Sequence, residues 1–180
     1  MTVPTPAPAW LPNHVPFPGD WNSFVRTLYA IFEMDFKVAT QRFRDRPLWH
    51  DRRIFSDDPF GYEEGFWHLV TSDQWRYDPK HRRKVKERLP EIARAERLPW
   101  ARPITRNEAD AKVVVWDFED ETTRGKAIRT YLWLKDWDYV VILERQYKAK
   151  GDIFMLITSF YVDRPSKRKD LESRYARRLK

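Results

Sequence analysis

The sequence predicts an α+β fold: N-terminal helices, then a four-strand antiparallel meander sheet, then a basic C-terminal helix. Three observations carry this expectation. Residues 21–36 place apolar side chains at helical spacing. From Lys112 onward the apolar period falls to two and the residues become β-branched and aromatic. After Pro165 the chain turns strongly basic, with Leu171, Tyr175 and Leu179 on one helical face.

Taken in order, residues 1–19 hold six of the 13 prolines among small and polar residues, which predicts a proline-rich disordered tail. A single domain over residues 20–180 follows. Its first helix has Asp20 as N-cap, buries Trp21, Phe24, Val25, Leu28, Tyr29, Ile31, Phe32 and Phe36, and is expected to end near residues 40–43. Residues 44–61 read as a loop with one short strand around 53–55. The run Phe66-Trp67-His68-Leu69-Val70-Thr71 fits either a strand or a helical turn. Residues 80–98 read as one or two basic helices, broken at Pro90 and stopped at Pro99. Four strands follow at 112–118, 126–135, 139–147 and 153–162, joined by connections of hairpin length.

The charge is unevenly spread. Residues 76–106 sum to +7 and residues 164–180 to +6, whereas 1–75 and 107–163 each sum to −3. Two basic segments beside one sheet would make a patch suited to phosphates, and a solvated helix face is the plain alternative for either alone. With no cysteine there is no disulfide framework, thiolate nucleophile or zinc ribbon, and a reducing cytoplasm is the expected setting. No apolar run approaches the roughly 18 residues that span a bilayer, and no charged start precedes an apolar run, so neither membrane embedding nor export is expected. Five glycines without a phosphate-loop pattern give nucleotide hydrolysis no foundation. Asp57, Asp58, Glu63 and Glu64 are dense enough to attract a cation loosely, but His50 and His81 lack the spacing partners of a metal site.

A helix over residues 24–36, FWHLVT at 66–71, RAERLPWARPI at 94–104, VVVW at 113–116, YVVIL at 139–143 and LITSFYVDRPSKR at 156–168 together form a recognisable series. The series resembles small phage and bacterial proteins of the barnase/EndoU/colicin/RelE-like (BECR) nuclease superfamily, over roughly residues 21–178. The resemblance implies N-terminal helices before a four-strand antiparallel sheet, and metal-independent RNA cleavage on the sheet's open face. It departs at the last strand, where the family's Thr-Ala-Tyr reads Thr158, Ser159, Phe160, with Tyr161 one place later.

Cleaving RNA through its own 2′-hydroxyl needs a proton acceptor, a proton donor for the leaving oxygen, and cations for the charged phosphorane, and it leaves a 2′,3′-cyclic phosphate. His68 titrates near neutrality and is the first catalytic candidate; a histidine satisfied within the core is the alternative. Arg94, Arg97 and Arg102 bracket Trp100, placing guanidinium groups for phosphate beside a ring for a base, with Glu96 as orienting or proton-transfer carboxylate. The competing reading pairs these arginines with Glu91 and Glu96 and packs Trp100 on the sheet. Thr158 and Ser159 interrupt an apolar strand. Strict alternation would group Thr158 with Phe154, Leu156 and Phe160, and the family pattern favours Thr158 in the cleft. Arg97, Glu96 and Thr158 thus join His68 as catalytic candidates, while Arg94, Trp100, Arg102, Arg145, Lys80 and Arg83 are the nucleic-acid-binding candidates. No metal or cofactor is implied.

The leading expectation is therefore a ribonuclease of toxin or phage type acting on RNA, with tRNA among its candidate substrates and an inhibitor or antitoxin protein as an implied partner. A non-catalytic module of the same fold that binds nucleic acid or a host protein is the runner-up, and a virion component using the proline-rich segment for assembly ranks third.

Overall fold

The computed structural model describes residues 6–56 and 58–180. The beginning of the proline-rich segment and Asp57 of the acidic cluster lie outside the described residues. Helix α1 (Trp21–Phe36) starts where expected: the Asp20 carboxylate accepts the Ser23 amide at 2.6 Å, satisfying one of the donors a helix start leaves over. Phe24, Val25, Leu28, Phe32 and Phe36 form its buried stripe. The helix stops several residues earlier than its sequence suggests, because the chain reverses into a hairpin of β1 (Gln41–Phe43) and β2 (Arg46–His50). Arg44 and Asp45 turn that hairpin with positive φ at both positions.

Helix α2 (Glu64–Val70) settles the ambiguous apolar run as helical. Beyond it the expectation of basic helices over residues 80–98 fails up to Pro90: β4 (Arg83–Pro90) is a strand, paired antiparallel with β3 (Thr71–Asp78) in a hairpin. The Asp78 side chain turns it, accepting the amides of Lys80 and His81. Short helices α3 (Ile92–Ala95) and α4 (Ala101–Arg106) follow, linked by a 3-10 turn at Leu98–Trp100.

The class is α+β, but the sheet is not a four-strand antiparallel one. It has six strands in the order β1-β2-β8-β7-β6-β5, with β5 (Val113–Thr122), β6 (Gly125–Leu134), β7 (Tyr139–Lys148) and β8 (Gly151–Tyr161) pairing antiparallel in sequence order. Strand β2 then adds parallel to β8, Leu48 opposite Phe154 and His50 opposite Leu156, which makes the sheet mixed. Five residues containing a proline carry too little alternation to announce such a strand.

The two faces of the sheet carry separate cores. Helices α1 to α4 cover one, where Phe24, Leu28, Phe32, Phe66, Leu69 and Ile104 meet Leu132, Val141, Leu143 and Leu156. The terminal helix α5 (Pro165–Ala176) covers part of the other, with Leu171 against Trp116, Tyr131, Trp133, Val140 and Ile142. Burying each such large apolar side chain contributes about 1.5–3 kcal/mol before entropy is counted. Arg174 of α5 bonds Asp120 and the Tyr131 hydroxyl, and the Leu179 amide reaches the Asp117 carbonyl at 2.9 Å.

The expected disordered tail is, from Pro6 to Gly19, an irregular strap held to the domain. Trp10 donates its ring N–H to Asp110 at 2.7 Å, the Val15 amide bonds the Glu96 carbonyl at 2.8 Å, and the Phe17 ring meets Phe24 edge-on. Prolines remove backbone donors, so such a segment docks through its few amides and its rings instead of a ladder.

His50 sits buried on β2 with its ring edge-on to Phe32 and its Nε2 without a hydrogen bond. Burial holds its imidazole below the ordinary value of 6.5. Unfolded, the ring takes up a proton below 6.5; folded, it does so only at lower pH. Its contribution to stability is therefore complete above that value and lost as pH falls toward the folded pKa. The urea midpoint is expected to drop between about pH 7.5 and about pH 5.5, this group contributing at most about 1.4 kcal/mol per pH unit, and His50→Leu should flatten that drop.

Candidate active site

A cleft of about 680 Å³ opens between α2, the base of the β3–β4 hairpin and the loop before α2. Trp21, Phe55, Phe60 and Trp67 supply its apolar wall, and Arg53, Glu64, His68, Asp73 and Arg88 its polar one.

Helix α2 positions the chemistry. Glu64 and His68 lie one turn apart, so both side chains project from one face. That helix is pressed onto the end of β2 at Gly65: a Cβ there would lie 2.9 Å from the His50 Cβ and 3.0 Å from the Asp51 backbone, and the Gly65 amide bonds the Asp51 carbonyl at 2.9 Å. Gly65→Ala is expected to lower stability by about 1–3 kcal/mol through this overpacking, read as a lower denaturant midpoint at unchanged slope.

Glu64 is 5% exposed. Its two carboxylate oxygens accept from Arg88 Nη2 at 2.7 and 2.8 Å, and His68 Nε2 stands 3.8 Å from Oε2. The Arg88 guanidinium lies 5.5 Å over the Trp67 ring and 4.0 Å from Asp73, which faces it in register across the hairpin. Trp67 is fixed in turn, its ring N–H donating to Asp58 at 2.7 Å. At the rim, Arg53 forks onto Asp51 and holds that carboxyl below the usual carboxylate range. A carboxylate, an imidazole and a guanidinium in one partly apolar recess can take up a proton, donate one, and stabilise a developing anion.

The predicted site residues divide. His68 lines the cleft, with 36% of its side chain exposed. Thr158 donates to the His68 carbonyl at 2.7 Å, so it anchors the helix that carries His68 and is absent from the cleft wall. The strict alternation assumed for β8 is also broken. A register shift between Ile142 and Leu143 puts Ser159 on the same face as Leu156, where it accepts the buried Tyr139 hydroxyl at 2.7 Å.

The block from Arg94 to Arg102 is framework. Arg94 donates to the Thr71 carbonyl and pairs with Glu91 at 3.3 Å; burial lowers its guanidinium pKa. Glu96 accepts the Phe17 amide at 3.0 Å through its side chain, holding the N-terminal strap. Arg97 stacks 4.1 Å over the Tyr161 ring and donates to the Ala93 carbonyl. Trp100 is 7% exposed and gives its ring N–H to the Pro12 carbonyl, so its ring is packed and offers no stacking surface. Arg102 bonds Gln41 and faces Asp35 at 3.5 Å. None of these five lines the cleft. Arg145 pairs with Asp152 at 2.6 Å near the β7–β8 turn, while Lys80 and Arg83 lie exposed at the tip of the basic hairpin. The two basic segments meet where Lys167 of α5 joins Arg94, Phe160 and Leu171 around a small recess of about 180 Å³.

Sequence reasoning missed Glu64 and Arg88. The i, i+4 spacing of Glu64 and His68 was the available signal, visible once the run is read as helical. Arg88 enters the site only through hairpin pairing. The described members of the acidic cluster do not converge either: Asp58 caps its own loop, Glu63 meets Lys37 at 2.8 Å, and Glu64 meets Arg88. Among the described residues no group of His, Asp and Glu side chains is arranged to hold a metal ion. Nor is any helix long and apolar enough to cross a membrane. In comparisons with known proteins, no family model matches the chain, and no curated protein and no solved structure does either.

Proposed function

We propose that the chain is a metal-independent ribonuclease whose active site is the cleft of Glu64, His68 and Arg88. The observation that carries the proposal is the joint placement of these three side chains, within 4 Å of one another through Glu64, at the root of a basic hairpin. In this reading Glu64 accepts the proton of the ribose 2′-hydroxyl as the 2′-oxygen attacks phosphorus. The P–O5′ bond breaks, and His68 in its protonated form delivers a proton to the departing 5′-oxygen. Arg88, with Arg53 at the rim, faces the negative charge that builds on the phosphorane oxygens. The products are a 2′,3′-cyclic phosphate and a 5′-hydroxyl.

The exposed hairpin favours a second reading, in which the same surface binds RNA without cutting it. Incubating the purified protein with total RNA and with tRNA in chelator separates the two. Fragmentation supports the nuclease; intact RNA that nevertheless shifts on a native gel supports the binding module. Salt dependence does not discriminate, because both rely on phosphate contacts.

A further inference from the structure

Beyond its base, where Thr71 is buried and Arg88 lies over Trp67, the β3–β4 hairpin stands clear of both cores. From Asp73 to Tyr77 every residue of β3 is exposed, including Trp75 at 68% and Tyr77 at 57%. Two strands with water on both faces are marginal alone, and apolar rings left 57–68% exposed there gain little from burial.

Their arrangement is specific. Side chains alternate along a strand, so Asp73, Trp75 and Tyr77 share one face. Register adds Arg88 opposite Asp73 and Lys84 opposite Tyr77 to that same face. Arg88 and Asp73 also line the cleft, as does Glu87 of the opposite face, so the aromatic face begins at the cleft's edge. The opposite face carries Gln74, Arg76 and Glu87, with Arg76 and Glu87 ion-paired at 3.3 Å, and neither aromatic ring. Residues 71–90 hold seven Lys and Arg against three Asp and Glu. Trp75 and Tyr77 are separated by about 7 Å along the strand, close to two base-stacking steps of about 3.4 Å.

We infer that this face is a guide for single-stranded RNA: bases stack on Trp75 and Tyr77, phosphates lie along the flanking cations, and the strand is led to Arg88 at the cleft. The inference rests on the ribonuclease reading for its direction into the cleft. Stacking on rings with basic flanks accepts any base, because every base has a π-face, and it requires unpaired bases. A duplex, whose bases are stacked internally, gains only the phosphate contacts.

The test is fluorescence anisotropy with a labelled 2′-O-methyl uridine dodecamer, whose capped 2′-oxygen cannot attack. The full chain is expected to bind it, and Trp75→Ala and Tyr77→Ala each to weaken binding between about 5- and 100-fold, the loss of one stacked base. Trp75→Phe keeps a ring and should stay within about threefold of the parent. Both positions are exposed, and circular dichroism checks that the variants are folded. Equal binding by the alanine variants and the parent overturns the inference, as does a parent that fails to bind the dodecamer or captures only duplex. Because the oligomer resists cleavage, a parent that binds it through Trp75 yet leaves ordinary RNA intact would end the nuclease reading and leave this surface standing.

Discussion

Replacing His68 with alanine is expected to lower RNA cleavage by about 10²–10⁴-fold, the usual worth of a positioned general acid, while the protein remains folded and still binds RNA. The side chain is partly exposed on α2, and the Thr158 hydroxyl bonds the His68 backbone carbonyl, a contact the substitution retains. A loss confined to turnover, with the melting temperature near the parent's, places the imidazole in the chemistry. If His68 were only a packing residue, stability would fall and cleavage by the folded fraction would persist.

The second large effect is expected at Arg88. Arg88→Ala should reduce cleavage by about 10²–10³-fold, as for other donors aimed at a developing anion, and should also destabilise the fold. Glu64 is nearly enclosed and its two oxygens are satisfied by Arg88 alone among the described hydrogen bonds, so truncation strands a buried carboxylate. Breaking buried ion pairs typically costs about 3–5 kcal/mol, and partial exposure of Arg88 places this pair toward or below the lower end. Glu64→Gln removes the charge but keeps acceptor and shape. Combined with Arg88→Ala it should recover much of the stability and none of the activity. A double-mutant cycle in urea reads the stability coupling, and single-turnover cleavage reads the chemistry.

The C-terminal strands and the first helix were legible because each buries one regular face: Phe24, Leu28 and Phe32 repeat at helical spacing, and Leu132, Leu134, Val141 and Leu143 at spacing two. The hairpin was illegible for the opposite reason. With both faces in water, β3 and β4 carry no buried alternation, and their charges read as a solvated helix. Strand β2 was hidden by its length and its proline, and its partner β8 lies over 100 residues away. The candidate site was half legible. His68 sits in the cleft, but the arginine block that forms part of the same resemblance is the strut between the N-terminal strap, α3 and the sheet. Arginine and tryptophan serve such buried junctions as readily as they serve phosphate and base, because both combine flat apolar area with polar tips.

One measurement tests the central claim most directly: cleavage, in chelator, of a DNA oligomer carrying a single ribonucleotide, with the new ends identified by mass spectrometry. Attack by the neighbouring 2′-oxygen predicts one cut, on the 3′ side of that ribonucleotide, leaving a 2′,3′-cyclic phosphate and a 5′-hydroxyl, with the product lost in His68→Ala. An uncut oligomer, cuts elsewhere in the DNA, or ends bearing a 3′-hydroxyl and a 5′-phosphate would contradict it.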